Sequence, residues 1–407
     1  MLADGVHALV YPLLPTIAAD LQLSYAQAGL VRAAFNTAGA ALQLPAGILA
    51  DRFGEYLVLT LGNAWLAAGL VGMALTGTFL GLLVMALVGG LGGNAQHPVG
   101  TSLVSKVYDG PGRGRAIGTV NFSGDLGKVV APPLAGLLTV GFGWRVALTV
   151  SGAVALVMVL ALWFTGRRTM VYSRGRAGPA SASTEWDETE PELAEQAAAR
   201  RSPVPAAAPA DPAGARPTGS SLAPSRALAS LVGIGVLDSS VRGATLTLLP
   251  FVLDAKGLPV EAIAGLYTVI FLGGAAGKFV CGAIIERFGT LPMIWATEAL
   301  TAVGALLFLV APVPALVPLA LVFGFALNGT SSVLYAAVAT LVGPERRSRV
   351  FGLYYTATIG ASALAPVLYG AIGDRIGLLP AFAVAAAVTA GIFPLSLASR
   401  KHLVGSY

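Results

Sequence analysis

The sequence predicts an all-α membrane protein with twelve transmembrane helices in two parallel six-helix repeats. The 407 residues are 56% hydrophobic and only 11% charged, whereas soluble proteins average about 25% charged residues. Apolar stretches of about 20 residues, the length that crosses a bilayer, recur along the chain. Motifs of the first half return in the second half at a nearly constant offset. This composition argues against a soluble enzyme, and the single cysteine, Cys281, excludes a disulfide-stabilised secreted scaffold.

Twelve apolar segments are predicted to be membrane spans. They cover residues 1–19, 26–50, 57–76, 79–105, 114–140, 143–166, 226–253, 258–285, 290–311, 314–341, 348–372 and 378–399. Between the sixth and seventh spans the chain is rich in Ala, Pro, Ser and Arg and has no apolar periodicity, which predicts a disordered linker. The predicted organisation is an N-terminal bundle, a cytoplasmic linker, a C-terminal bundle and a cytoplasmic tail, at residues 1–166, 167–224, 225–399 and 400–407. Few residues precede Asp4 compared with its counterpart in the second half, so we expect the natural chain to begin upstream of Met1.

The basic residues orient the predicted spans. Of 25 Lys and Arg residues, only Arg145, Lys256 and Arg375 fall in external loops when both termini are placed inside. This bias follows the positive-inside rule. It predicts a multi-pass protein of a bacterial-type inner (plasma) membrane, with termini and linker in the cytoplasm. No segment combines dense basic residues with aromatic residues, so no nucleic-acid partner is expected.

The internal repeat is clearest in one loop motif. Gly47–Gly54 reads Gly-Ile-Leu-Ala-Asp-Arg-Phe-Gly, and Gly282–Gly289 reads Gly-Ala-Ile-Ile-Glu-Arg-Phe-Gly, 235 residues later. Pro132 and Pro366 are separated by 234 residues. Two six-helix repeats joined by a long loop are the layout of one large class of secondary transporters.

The Gly47–Gly54 loop resembles the signature loop of the major facilitator superfamily, and the resemblance covers all twelve spans. It implies the major facilitator fold, with helices 1, 2, 4, 5, 7, 8, 10 and 11 lining a central cavity. Gly89-Gly90 through His97-Pro98-Val-Gly100, with Gly124-Asp125-Leu-Gly127, resembles the fosmidomycin-resistance branch of efflux proteins. The resemblance also implies a loop that latches the two halves in the outward-facing state, formed by Gly47, Asp51, Arg52 and Gly54 with Glu286 and Arg287 in its copy. A plain charged turn after a membrane helix is the alternative.

Charged residues occur within the predicted spans, where each costs about 2.5–3.5 kcal/mol on insertion. The bases are Arg32, Lys128, Arg242 and Lys278, and the acids are Asp4, Asp125, Asp238 and Glu298. Equal numbers suggest ion pairs. Asp125 and Lys128 are spaced i,i+3, and Asp238 and Arg242 are spaced i,i+4, so each pair shares a helix face. The sequence gives no role for Glu298.

Proton coupling is predicted for Asp125, which we estimate to lie near the membrane midplane, together with Lys128, Asp238 and Asp4. The alternative for each is a permanent ion pair that fixes helix packing. Substrate contacts are predicted on polar stripes, which on a membrane helix must face protein or water. These candidates are Arg32, Asn36, Asn94, His97, Asn121, Arg242, Lys278, Asn328, Tyr335 and Tyr355. Arg32 could instead pair with Asp4 or reach the outer lipid headgroups.

The expected function is secondary active transport by alternating access, with proton-coupled efflux of a small organic or drug-like compound. Symport uptake of a small organic anion is the alternative, and a non-transporting membrane sensor or scaffold is a less favoured one. The expected partners are the small-molecule substrate, a proton or other coupling ion and the lipid bilayer, and we expect a monomer. The sequence shows no ATP-binding loop, no metal-binding His and Cys cluster and no nucleophile–base arrangement. No cofactor, metal or enzymatic activity is therefore expected.

Overall fold

The computed structural model describes residues 2–41, 43–93, 113–174, 223–341, 347–398 and 400, and the regular structure within them is helical. We number the helices by membrane span. They are α1 (Leu2–Leu21), α2 (Tyr25–Ala41 and Gln43–Phe53), α3 (Glu55–Leu75), α4 (Phe79–Gly93), α5 (Arg113–Phe142), α6 (Trp144–Arg174), α7 (Ala223–Ala255), α8 (Val260–Phe288), α9 (Thr290–Val310), α10 (Leu316–Leu341), α11 (Arg347–Ile376) and α12 (Leu378–Val388 and Ile392–Ala398). Among the described residues, nine helices are long and apolar enough to cross a membrane.

Most predicted span boundaries agree closely with the observed helix ends, but α6 differs, and the predicted end of the fourth span at residue 105 lies outside the described residues. Helix α6 continues to Arg174, past the predicted end of its span at residue 166. Apolar content marks where a helix leaves the hydrocarbon, but backbone hydrogen bonds continue beyond that point when the residues permit. The first residues of the predicted 167–224 linker are therefore helical, as are its last two, which begin α7. The rest of that linker, and the tail beyond residue 400, lie outside the described residues.

Four glycines with positive φ terminate the second helix of each three-helix unit. Gly54, Gly143, Gly289 and Gly377 have φ values of 92°, 84°, 79° and 97°. Each N–H donates to the carbonyl oxygen four residues earlier at 2.8–2.9 Å. A side chain would strain this backbone conformation, so glycine allows the next helix to start at once. The turn that was found twice in the sequence is thus a feature of all four units.

The two halves meet at one end of the bundle, which we call the sealed face. It contains the α1–α2, α3–α4, α5–α6, α7–α8, α9–α10 and α11–α12 connections. The most extensive contacts between the halves join α2 to α11 and α5 to α8. A Cβ atom on Gly29 would overlap the Pro366 carbonyl group, and one on Gly136 would lie 2.6 Å from the Ala264 Cβ. The halves are therefore in backbone-level contact at this face.

Within the C-terminal half, α8 and α10 pack through a row of glycines. A Cβ atom on Gly273, Gly277 or Gly324 would overlap a backbone oxygen of the facing helix. Small residues allow membrane helices to approach closely, and dispersion contacts along the whole seam then stabilise the pair. We call these three residues the glycine seam.

We expect Gly324→Ala to destabilise the protein, because its methyl group would collide with the Ile270 carbonyl group and force α8 and α10 apart. Overpacking of this kind costs about 1–3 kcal/mol. The measurement is the unfolding temperature of the purified protein in detergent. Gly265→Ala on the facing helix α8 is the control, because nothing lies within 4 Å of the added atom. Equal unfolding temperatures for the two variants would contradict the close packing described.

Candidate functional site

A polar cavity of about 140 Å³ lies between the two halves, and we call it the central cavity. Its lining residues come from six helices. They are Asp4, His7, Ala8 and Tyr11 of α1, Arg32 of α2, Asp125 and Lys128 of α5, Leu246 of α7, Phe271, Gly274, Ala275 and Lys278 of α8, and Asn328 of α10. Six of the eight helices that the family resemblance implies as cavity-lining contribute to it among the described residues.

A chain of ion pairs crosses the central cavity. Lys128 Nζ lies 3.1 Å from Asp4 Oδ1 and 3.1 Å from Asp125 Oδ1. Asp125 Oδ1 is also 3.1 Å from Lys278 Nζ, and Oδ2 is 3.3 Å from the same atom. The predicted i,i+3 pair of Asp125 and Lys128 is confirmed. The chain extends further than predicted, because Lys278 belongs to the other half of the molecule and Asp125 therefore links the two halves.

Arg32 is a buried cation beside this chain. Its residue is only 3% exposed, and its Cζ atom lies 3.8 Å from the centroid of the Tyr11 ring. Nε and Nη1 are buried without a hydrogen-bond partner among the described residues. The expected alternatives of pairing with Asp4 or reaching lipid headgroups do not match this geometry, because Asp4 pairs with Lys128 and the guanidinium points inward. Cation–π contact offsets part of the burial cost, but two donor groups still lack acceptors.

An aromatic wall holds Tyr11 in place beneath Arg32. The rings of Tyr11 and Tyr267 stack at 5.8 Å, and Phe271 lies 6.0 Å from Tyr267. The Tyr267 hydroxyl donates a 2.5 Å hydrogen bond to the Leu246 carbonyl oxygen. The helical spacing of Tyr267, Phe271 and Lys278 predicted that they share one face of α8, although neither aromatic residue was among the predicted substrate contacts.

A second charged cluster lies in the C-terminal half. Arg242 Nη2 is 2.5 Å from Asp238 Oδ2, which confirms the predicted i,i+4 pair. Glu298 of α9 is 1% exposed and interacts with both Asp238 and Arg242. Its Oε1 atom is buried without a hydrogen-bond partner in the described part of the chain. Glu298, which the sequence left without a role, is therefore the third member of this group, which we call the Asp238 cluster.

Three tyrosines adjoin the Asp238 cluster. Tyr335 of α10 lies 5.9 Å from Tyr354 and 5.4 Å from Tyr355 of α11, measured between ring centroids. Tyr335 and Tyr355 are partly exposed, whereas Tyr354 is buried. The structure thus places the predicted contact Tyr335 beside Arg242 and the predicted contact Tyr355 against Tyr335, both outside the lining of the central cavity.

The remaining predicted site residues are placed as follows. Asn328 lines the central cavity, and its Nδ2 donates to the Gly324 carbonyl oxygen at 3.3 Å. Asn36 is half-buried on α2, one helical turn from Arg32. Asn94 and His97 lie outside the described residues, as does the side chain of Asn121.

The predicted gating loops are described only in part. Arg52 and Arg287 are exposed, and their Cζ atoms lie 5.4 Å and 5.6 Å from the rings of the phenylalanines that follow them. Gly54 forms the tight turn described above. The side chains of Asp51 and Glu286, and the surroundings of Gly47, lie outside the described part of the structure. The latch role of these loops stays a prediction.

Comparison with known proteins connects this geometry to a family. The chain matches the sequence profile of the Major Facilitator Superfamily over residues 1–208 and 231–402. It is 27% identical to the fosmidomycin resistance protein of Escherichia coli over 181 residues, which cover 44% of each chain. It is 35% identical to a probable sulfoacetate transporter of Cupriavidus necator over 152 residues, which cover 37% of this chain and 35% of that one. The chain thus matches less than half the length of either relative.

A solved structure shares the fold over the full length. A bacterial homologue of the human lysosomal transporter Spinster superposes with a TM-score of 0.73 at 17% identity, covering 100% of this chain and 94% of that one. The predicted all-α fold with two six-helix repeats is confirmed, and so is the predicted resemblance. The protein is a multi-pass membrane transporter and not an enzyme. Because the family profile spans both halves of the chain, this protein belongs to the Major Facilitator Superfamily.

Proposed function

We propose that this protein transports a small organic anion by alternating access. The observation that carries the proposal is the Arg32 guanidinium, which is buried over Tyr11 with two donor groups unsatisfied. The central cavity holds three bases, Arg32, Lys128 and Lys278, but only two acids, Asp4 and Asp125. An anion bound beside Arg32 would balance the excess positive charge and accept the free hydrogen bonds.

The size of the central cavity supports a small substrate. Its volume of about 140 Å³ is below the roughly 300–1,000 Å³ typical of sites for drug-sized ligands. This favours the small organic anion over the drug-like compound, both of which the sequence allowed. The name of the sulfoacetate transporter also supports a small anion. We propose export as the direction, which the resistance protein supports, and uptake by symport stays the alternative.

The charge bias of the loops supports an assignment of the conformation. With both termini in the cytoplasm, the sealed face lies outside the cell. The contacts of α2 with α11 and of α5 with α8 then close the external side. We therefore propose that this conformation is the inward-facing one and that the membrane is an inner membrane.

Asp125 supports a proposal for proton coupling. It contacts lysines of both halves, Lys128 on its own helix and Lys278 on α8. When the halves move apart at this level, the Lys278 contact is lost and the charge balance around Asp125 changes. Gain or release of a proton by Asp125 would restore the balance, which ties protonation to the position of the halves.

The Asp238 cluster supports a second proton site. It contains two acids and one base, and burying an uncompensated charge inside a membrane protein is costly. Two carboxyl groups that face each other do not both ionise readily. We propose that Asp238 and Glu298 share one proton, which leaves the cluster neutral with Arg242.

For the anion site, we expect Arg32→Gln to weaken binding of small carboxylates and sulfonates, including sulfoacetate, by about 10- to 100-fold. A hydrogen bond to a charged group contributes about 1.5–3 kcal/mol, which sets this range. Ligand-induced thermal stabilisation of the purified protein measures the affinity. Arg145→Gln is the control, because Arg145 pairs with Asp20 away from the cavity. Unchanged anion binding in Arg32→Gln, or tighter binding of neutral sugars, would rule out the anion site.

For proton coupling, we expect Asp125→Asn to abolish transport driven by a pH gradient in proteoliposomes and to retain counterflow. Asparagine resembles the protonated acid in shape but releases no proton. Lys128 keeps Asp4 as its partner, whereas Lys278 loses the carboxylate contact described here. If Asp125 is purely structural, yield falls instead and Asp125→Asn with Lys278→Met restores it. Asp20→Asn controls for loss of an acid outside the cavity, and reversing the gradient distinguishes export from uptake.

For the Asp238 cluster, we expect Glu298→Gln to leave the unfolding temperature unchanged, because glutamine mimics a protonated carboxyl group. Arg242→Gln should destabilise the protein by about 3–5 kcal/mol, since it leaves a buried acid without its base. Adding Asp238→Asn to Arg242→Gln should recover most of that loss. A loss of stability in Glu298→Gln as large as that in Arg242→Gln would show that Glu298 is ionised.

A further inference from the structure

A third copy of the loop motif ends α11 at the sealed face. Gly370–Gly377 reads Gly-Ala-Ile-Gly-Asp-Arg-Ile-Gly. Its first Gly, Asp, Arg and last Gly have the same spacing as in Gly47–Gly54, and Gly377 adopts the same positive φ as Gly54. The two copies lie at opposite ends of the bundle, because Gly54 ends α2 away from the sealed face.

The acid of this third copy binds the start of α2. Asp374 Oδ1 accepts a 2.8 Å hydrogen bond from the Tyr25 N–H, and Oδ2 accepts a 3.1 Å bond from the Ala26 N–H. The next N–H, of Gln27, donates to the Ser24 hydroxyl at 3.3 Å. The first N–H groups of a helix have no acceptor within the helix. Asp374 therefore supplies the acceptors that the local Ser24 cap does not, and a carboxylate at this end is also favoured by the helix dipole.

This cap joins the two halves of the molecule. Tyr25 and Ala26 belong to the N-terminal half, and Asp374 belongs to the C-terminal half. The contact also requires close approach, since a Cβ atom on Gly370 would lie 2.5 Å from the Tyr25 carbonyl oxygen. Asp374 is exposed, so water can replace the helix N–H groups when the halves separate. The contact can therefore form and break without leaving the Asp374 carboxylate buried and unpaired.

The other seam between the halves has no such cap. The corresponding stretch of α5, Gly136–Gly143, carries Val140 and Gly141 where the third copy carries Asp374 and Arg375. The N-terminus of α8 that it faces follows Pro259 and has no side-chain cap. The Asp374 cap thus acts on the α2–α11 seam, whereas at the α5–α8 seam Gly136 lies against Ala264 and the backbone of Val260 and Glu261.

We propose that Asp374 is a gating residue that holds the sealed face shut by capping α2 across the interface. Release of Tyr25 and Ala26 from Asp374 is then a step in opening this face. The inference rests on alternating access, which is part of the proposed function. The motif copies at opposite ends of the bundle would act as two latches, of which the Gly370–Gly377 latch is engaged in this conformation.

The test measures whether removal of Asp374 opens the α2–α11 seam. Ala28 is 0% exposed and lies on the α2 face between Tyr25 and Arg32, so a cysteine there reports opening. The reporter is Ala28→Cys with Cys281→Ser, which removes the only native cysteine. We measure its rate of maleimide labelling in purified protein without substrate. Because no substrate is present, the labelling rate does not depend on whether the protein transports an anion. A failure of the latch proposal is therefore distinguishable from a failure of the proposed function.

We expect Asp374→Ala to increase the labelling rate about fivefold, the typical effect of losing a helix cap. Asp374→Asn, which keeps an acceptor but no charge, should give a smaller increase. Asp254→Ala removes an exposed acid at the same face and should leave the rate unchanged. Equal rates for the parent, Asp374→Ala and Asp254→Ala would overturn the proposal. If Asp374→Ala does not fold, Asp374→Asn decides, and a rate equal to the parent's would also overturn it.

Discussion

The need to balance charge inside a low-dielectric bundle governs this structure. Asp125 meets that need for two lysines at once, and one of them, Lys278, belongs to the opposite half. A carboxylate shared in this way stabilises the closed arrangement only while both halves are in place. The carboxylate that offsets part of the lysine charge in the cavity is therefore also a contact between the halves, so the proposed coupling would depend on a residue that stabilises the structure.

The two charged groups have opposite imbalances. The central cavity has one more base than acids, and the Asp238 cluster has one more acid than bases. The predicted spans contain equal numbers of acids and bases, but the numbers are unequal within the central cavity and within the Asp238 cluster. Charged residues inside a membrane protein are costly and are therefore functional candidates. A bound anion would offset the excess base of the central cavity, and a shared proton would offset the excess acid of the Asp238 cluster. Arg32 and Glu298 each have side-chain atoms without a hydrogen-bond partner among the described residues.

Local spacing predicted much of the fold and part of the site. Helix positions followed from apolar length, and the Asp125–Lys128 and Asp238–Arg242 pairs followed from helical periodicity, because both signals act within one helix. The contacts of Asp125 with Lys278, of Glu298 with Asp238 and of Asp374 with α2 could not be predicted in this way. Each joins different helices, and its existence depends on packing that one sequence does not encode in any local pattern. The third loop copy at Gly370–Gly377 was visible in the sequence, but only its position at the sealed face shows what its acid contacts.

The glycine seam between α8 and α10 has a mechanical consequence. Helices whose backbones touch along their length cannot slide or tilt against each other without collision, so α8 and α10 transmit displacement as a single rod. Lys278 and Asn328 lie on that rod within the cavity, and the start of α8 lies on it at the sealed face. A small rotation at one end of this helix pair is therefore transmitted to the other end without being absorbed by side-chain rearrangement. We therefore expect α8 and α10 to move as one unit in any rearrangement of the C-terminal half.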